Sequence, residues 1–231
     1  MALYYHAAHH QPEATKMSAP RFYCPVTLPS SGLFELPPDA AHHALRVLRL
    51  RVNDPVQIFD GEGHARDARI SSISGKHVDL DIINTCPPQT QPALQIVLAQ
   101  AMTSSEKMDW IVQKATELGA AAVQPVQTQR SVAKLSQERA EKRTEHWRGV
   151  VIAACEQSGR NKLMQVHAPL DLSHWLAGQR NTPGSKFILL PDGAVALHAQ
   201  EKPAGPVILL IGPEGGSRPD EALMAKQAGF I

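Results

Sequence analysis

The feature that most constrains this chain is a short run near its end, Pro206-Val-Ile-Leu-Leu-Ile-Gly-Pro-Glu-Gly-Gly216. Val207–Ile211 is unbroken, apolar and rich in β-branched residues, the pattern of a strand buried on both faces of a parallel sheet. Side chains then vanish in Gly212-Pro213-Glu214-Gly215-Gly216, where the backbone must turn. Pro219 follows at the first turn of the next helix, where its fixed φ and missing N–H cost nothing. Strand, glycine turn and helix in succession is the geometry in which α/β proteins bind ligands at the carboxyl ends of their strands. The turn is neither a GxGxxG dinucleotide loop nor a GxxxxGK[ST] phosphate loop. A ligand-free βα turn accounts for the glycines alone. Glu214 shifts the balance toward a site, because a carboxylate held in such a turn needs a partner.

The chain has 231 residues, 43% of them hydrophobic and 19% charged, which is enough for one large or two small globular domains. Its net charge of +1 means that any nucleic-acid binding must come from local patches rather than a global field. Cys24, Cys86 and Cys155 are far apart and odd in number, so neither a disulfide framework nor a metal site is expected, and a reducing cytoplasm is. No apolar run approaches the roughly 20 residues of a membrane span. Residues 1–16 are polar, carry His6, His9 and His10, and contain no signal-peptide core. Met17 offers an alternative start, and residues 1–19 read as a flexible extension.

Residues 21–83 carry short β-type signals. Val56-Gln-Ile-Phe59 runs into a turn at Asp60-Gly61-Glu62-Gly63, and apolar residues alternate on either side of Ser74-Gly75 as in a half-buried hairpin. One helix interrupts them over residues 39–48, with Asp39 as its N-cap. This stretch and its exit concentrate His42, His43, Arg46, Arg49 and Arg51. They form either a solvated basic face or a phosphate-tracking patch on a small β-barrel. Residues 84–92, with Pro87, Pro88 and Pro92, cannot continue a strand and read as a linker.

Beyond the linker the texture changes. A buried strand at residues 94–98 precedes Thr103-Ser-Ser-Glu106, a capping-box pattern, and a helix with Met108, Ile111, Val112, Ala115 and Leu118 on one stripe. Gly119 ends that helix. A second strand lies at residues 122–126, a longer helix at 136–158, and a third strand at 187–190 before Pro191-Asp192-Gly193. Strands alternating with helices behind a β-rich start predict a two-domain α/β protein: a small barrel, then a parallel-sheet domain. Gln129-Arg130-Ser131, Glu156-Gln157-Ser158-Gly159-Arg160, Asp192 and Glu214 fall at the ends of these elements and are expected to converge on one crevice. No Ser-His-Asp triad and no carboxylate pair for glycoside hydrolysis is visible. Spacing alone gives a ligand-binding α/β domain with an RNA-type patch.

Several segments together carry a more specific likeness: Arg21-Phe-Tyr23, His42-His-Ala-Leu-Arg-Val-Leu-Arg-Leu50, Phe59-Asp-Gly-Glu-Gly63, Lys114-Ala-Thr-Glu-Leu-Gly119, Arg130-Ser-Val132, Glu156-Gln-Ser-Gly-Arg160 and Ile211-Gly-Pro-Glu-Gly-Gly216. In that order the chain resembles the bacterial small-subunit ribosomal RNA uridine-N3 methyltransferases, a branch of the trefoil-knotted SPOUT class. The resemblance implies a PUA-like RNA-binding barrel over residues 20–84, a linker at 85–92 and a SPOUT-type knotted domain over 93–231. It also implies S-adenosylmethionine as cofactor, no metal, a cytoplasmic homodimer, and N3-methylation of one uridine of 16S ribosomal RNA in the assembled small subunit. Two departures stand out. Ser217-Arg218 follow the glycine turn where that family continues with an aromatic or aliphatic residue and Ser, and the sequence stops at Gly229-Phe230-Ile231, so the C-terminal part of the knot is expected to be missing.

Under this resemblance Arg130, Glu156 and Arg160 are the catalytic candidates. Leu190, Pro191, Gly193, Ile211, Gly212, Pro213, Glu214, Gly215 and Gly216 are the cofactor-binding ones. Arg21, His42, Arg46, Arg49 and Arg51 are the RNA-binding ones. The alternatives are another SPOUT RNA methyltransferase acting on the ribose 2′-oxygen, and a non-catalytic RNA-binding protein.

Overall fold

The computed structural model describes residues 19–130, 136–190 and 196–231. Strands β1 (Arg21–Tyr23), β2 (Gly32–Glu35), β3 (Pro55–Phe59), β4 (Ala65–Ser74) and β5 (His77–Thr85) form one sheet in the order β1-β3-β4-β5-β2. Only the β1–β3 pairing is parallel. The two-residue period of a strand decides what each face meets. Phe22, Val56, Ile58, Ile70 and Leu80 turn inward to a first core. Their neighbours Tyr23 and Phe59 turn the other way and join a core shared with the second domain. The β4–β5 hairpin reverses at Gly75, whose φ of 63° is the left-handed geometry such a turn requires.

The helix expected over residues 39–48 is a composite. A short α-helix, α1 (Pro38–His42), runs directly into a π-helical turn at His43–Val47. Its N-cap is Pro37, not Asp39, because Pro38 occupies the first helical position. Asp39 lies in the first turn, where its carboxylate faces the positive end of the helix.

The second sheet is parallel throughout. It is built from β6 (Ile96–Ala101), β7 (Ala122–Gln127), β8 (Gln165–Val166), β9 (Leu170–Asp171), β10 (Ser185–Leu189) and β11 (Val207–Ile211), in the order β10-β11-β6-β7-β8, with β9 also on β7. Helices α2 (Ser105–Leu118) and α3 (Gln137–Ser158) cover one face through Met108, Val112, Trp147 and Val151. Helices α4 (Leu172–Gln179) and α5 (Pro219–Gln227) cover the other through Trp175, Leu176 and Ala225. The expected capping box at residues 103–106 does not form: α2 starts after Ser104, whose side chain makes no capping hydrogen bond. Ser136 does cap α3, accepting from the Arg139 amide. The first crossover leaves β6 toward β7, whereas β11 lies on the opposite side of β6. The order therefore reverses between β6 and β11, and the carboxyl ends of those two strands are where an open α/β sheet of this kind places a ligand.

Candidate functional site

The glycine turn follows β11 and sits at this reversal. Ile211 and Leu190, at the carboxyl ends of β11 and beside β10, are both partly exposed, Pro213 is buried, and Glu214 and Gly215 face solvent. The partner required by Glu214 comes from α2: Lys107 Nζ lies 2.7 Å from its Oε1, with the two side chains 62% and 52% exposed. An exposed pair of this kind contributes at most about 1 kcal/mol. Its effect is to align the turn with the start of α2. A Cβ on Gly212 would come within 2.6 Å of Ser217 Oγ and 3.2 Å of the Ser217 amide nitrogen, so the inner part of the turn is close-packed. A Cβ on Gly216 would meet nothing within 4 Å, and one on Gly215 only the Arg130 side chain at 3.6 and 3.9 Å. The outer part of the turn therefore borders open space.

Arg130, which follows β7, reaches across this edge. Its guanidinium donates to the carbonyl of Gly215 and, at 3.4 Å, to that of Gly216. The segment carrying it is fixed by a residue that sequence reasoning missed. Glu221, only 2% exposed, accepts the Gln129 amide at 2.9 Å through one carboxylate oxygen and the Arg218 amide at 2.9 Å through the other. Its place three residues after the N-cap of α5 is the capping-box position, which was the available signal. Pro191 and Gly193 lie outside the described residues.

Glu156 and Arg160 do not join this cluster. A helix that leaves the carboxyl edge of a parallel sheet must return to the amino edge, and the 22 residues of α3 span about 33 Å at 1.5 Å each. Both residues therefore stand at the opposite edge, against the first domain. Glu156 Oε1 accepts the Tyr23 amide at 3.1 Å. Burial pushes its carboxyl above the usual range, against the opposing pull of that hydrogen bond and of His43 and Arg21. Arg160 donates to Gln91 Oε1 at 3.3 Å and lies against Gly119, where a Cβ would approach its Nη1 to 2.7 Å. Gly119, with φ of 87°, both ends α2 and leaves room for this guanidinium. Ser131 and Asp192 lie outside the described residues, and for the others the single crevice expected is thus two separate places. A cavity of about 810 Å³ flanks the second, lined in part by Tyr23, Glu62, Arg160 and Lys162.

Arg21 also departs from expectation. Its guanidinium bonds Gln57 Oε1, the Arg160 carbonyl at 3.1 Å and Asn161 Oδ1 at 2.7 Å, and stacks 4.9 Å from the Phe59 ring centroid. Burial lowers its pKa from the ordinary value. A guanidinium committed to the domain junction in this way is not a free phosphate ligand. His42, Arg46, Arg49 and Arg51 are all exposed, on α1, on the π-helical turn and in the segment that follows it. Arg49 adopts a left-handed φ of 55°. Among the described residues no cluster of His, Cys, Asp or Glu is arranged to hold a metal ion, and no helix is long and apolar enough to cross a membrane.

A parallel sheet with a glycine turn at its switch point, behind a small β domain, defines a two-domain α/β protein with a ligand-binding edge, and its matches to known families make it an RNA methyltransferase. Residues 90–231 match the RNA methyltransferase domain family, and residues 36–83 match the RNA methyltransferase PUA domain family. The chain is 26% identical to the ribosomal RNA small subunit methyltransferase E of Buchnera aphidicola subsp. Acyrthosiphon pisum, over 92% of this chain and 83% of that protein. It is 29% identical to the protein of that name from Bacillus subtilis, over 79% and 74%. Among solved structures, the ribosomal RNA small subunit methyltransferase E of Neisseria gonorrhoeae bound to S-adenosylmethionine superposes with a TM-score of 0.84 at 36% identity, covering 92% of this chain and 87% of that one. The Legionella pneumophila protein Lpg2936, in complex with the same cofactor, also gives 0.84, at 30% identity over 92% and 87%. The chain belongs to the ribosomal RNA small subunit methyltransferase E family.

Proposed function

We propose that this chain transfers a methyl group from S-adenosylmethionine to N3 of one uridine of 16S ribosomal RNA in the assembled small subunit, acting as a cytoplasmic homodimer. The observation that carries the reading is the 212–216 turn at the sheet's switch point with Arg130 drawn across it, in a family whose solved members hold that cofactor. The residues fit such a group. Leu190 and Ile211 offer apolar surface for an adenine, and the missing side chains of Gly215 and Gly216 leave space where backbone groups face a ligand. When bound, the cofactor supplies an electrophilic methyl group on a sulfonium.

The remaining chemistry falls to the protein and the base. Uracil N3–H is a weak acid, and its proton must leave before or during attack. Arg130, whose guanidinium reaches across this edge, favours the uracil anion as charge develops there. The target base must also leave its stack to reach the turn. RNA held by residues 20–84 through His42, Arg46, Arg49 and Arg51 is delivered to the domain of residues 93–231. Glu156, Arg160 and Arg21 act as positioning residues: they fix the angle between the two domains rather than touch the base.

The test is methyl transfer with isotopically labelled cofactor to purified small subunits, large subunits and protein-free 16S RNA. Label is expected in the 16S RNA of assembled small subunits. Equal or preferential labelling of protein-free RNA or of large subunits would overturn the substrate assignment.

A further inference from the structure

The first domain holds a second cavity, of about 490 Å³, for which the reading above has no task. That volume lies within the range of small-ligand sites, about 300 to 1,000 Å³. Its floor is apolar: Leu36 is 2% exposed, with Leu45 and Pro38 beside it. Its rim is charged with both signs. The π-helical turn continues α1, so His42 and Arg46 stand one helical turn apart, and turns of this kind recur at functional sites. Across from them the Gly75 turn of the β4–β5 hairpin presents Lys76, and Asp39 completes the rim. Glu35 is engaged by His77, at 2.5 Å. Among the described residues the side chains of Asp39, His42, Arg46 and Lys76 form no hydrogen bond or ion pair.

An apolar floor with donors and a carboxylate acceptor on one rim is complementary to a nucleobase. A base has flat apolar faces and an edge that carries donors and acceptors together. A purely anionic ligand would gain from Arg46 and Lys76 but be repelled by Asp39 and Glu35. A fully paired duplex presents no free base to a cavity. We propose that this cavity receives one unstacked nucleotide of the RNA. Its base lies on Leu45 and Pro38, above the buried Leu36, with an edge toward Asp39, and its phosphates lie on Arg46 and Lys76. This nucleotide is a different one from the methylated uridine, and its capture sets the register of the RNA on the protein. The proposal deepens the RNA-methyltransferase reading and rests on its RNA-binding part.

The experiment is fluorescence anisotropy of the full chain with three hairpin RNAs: one with a single-nucleotide bulge, the same hairpin with an abasic residue in the bulge, and a fully paired one. Wild-type protein is expected to bind the base-bearing bulge about tenfold more tightly than the abasic one, the scale of one base contact. Leu45→Gln, which makes the floor polar without adding a stacking ring, should abolish that preference while leaving affinity for the paired hairpin intact. Asp39→Ala, at an exposed position that leaves the core untouched, should narrow the preference even if the glutamine variant folds poorly. Equal wild-type affinity for the bulged and abasic hairpins overturns the proposal. So does a preference retained by both variants. Absence of the preference in the wild-type protein alongside normal labelling of small subunits removes this inference alone, whereas an intact wild-type preference without labelling removes the catalytic reading alone.

Discussion

Replacing Glu221 tests how the edge bearing the glycine turn and Arg130 is held together. Its carboxylate is buried at 2% exposure and accepts two backbone amides, those of Gln129 and Arg218, each at 2.9 Å. A hydrogen bond to a charged group contributes about 1.5 to 3 kcal/mol. Both hydrogen bonds are part-buried rather than buried, so the low end applies. Glu221→Ala then costs about 3 kcal/mol. Glu221→Gln keeps one acceptor but turns an NH₂ group toward the other amide, so it costs about 1.5 to 2 kcal/mol despite its matching shape. Urea unfolding gives the stability change and calorimetry gives cofactor affinity. The loosened segments are those bearing Arg130 and the turn, so S-adenosylmethionine affinity should fall together with stability in the order wild type, Gln, Ala. A Glu221→Gln protein as stable as wild type, with unchanged affinity, would refute the argument that this carboxylate organises the edge.

Three further outcomes follow from the two edges and the patch. Replacing Arg46, Arg49 and Arg51 with Ala should weaken RNA binding and reduce the slope of log K against log salt by about 2 to 3, at roughly 0.7 to 0.9 per phosphate contact. Arg21→Ala should lower the unfolding temperature and leave that slope unchanged, and a reduced slope would return Arg21 to the phosphate contacts. Burial raises the Glu156 pKa in the folded state, so the folded chain binds the extra proton more tightly. Its stability contribution is most favourable below the unfolded pKa and declines as pH rises through the raised folded value. Glu156→Gln, which still accepts the Tyr23 amide, should therefore gain on wild type in thermal unfolding as pH increases, and a falling difference would show the opposite shift. Burial pushes the Cys24 thiol up to about 12 and the Cys155 thiol to about 11, so iodoacetamide at neutral pH should leave both unmodified until the chain unfolds.

The parts of this fold that declare themselves in sequence are those where one local rule acts alone. The apolar run Val207–Ile211 is strand β11 at the expected bounds, and Pro219 opens α5. Ser136 and Gly159 bracket α3 as N-cap and C-cap. The strands β8 and β9 are two residues long and hold no period to read. The signal for α4 was present in Asp171, whose side chain accepts the Ser173 and His174 amides, and in Leu172, Trp175 and Leu176 at helical spacing. At the site, sequence order placed Arg130 beside the glycine turn because both follow strands at one edge. Glu156 and Arg160 end a helix and not a strand, so grouping them with the strand ends puts them at the wrong edge, and the length of α3 alone carries them to the far side. Lys107 gave no local signal, since its pairing with Glu214 depends on the juxtaposition of α2 and a turn distant in sequence.

The central claim is chemical, that the methyl group arrives on N3 of a uracil. The most direct measurement is nucleoside mass spectrometry of 16S RNA from small subunits treated with this chain and S-adenosylmethionine, starting from subunits that lack the modification. The account requires N3-methyluridine to appear, and Arg130→Ala to reduce it far more than it reduces RNA binding. A ribose-methylated nucleoside in its place, or RNA binding with no methylated product, would contradict it.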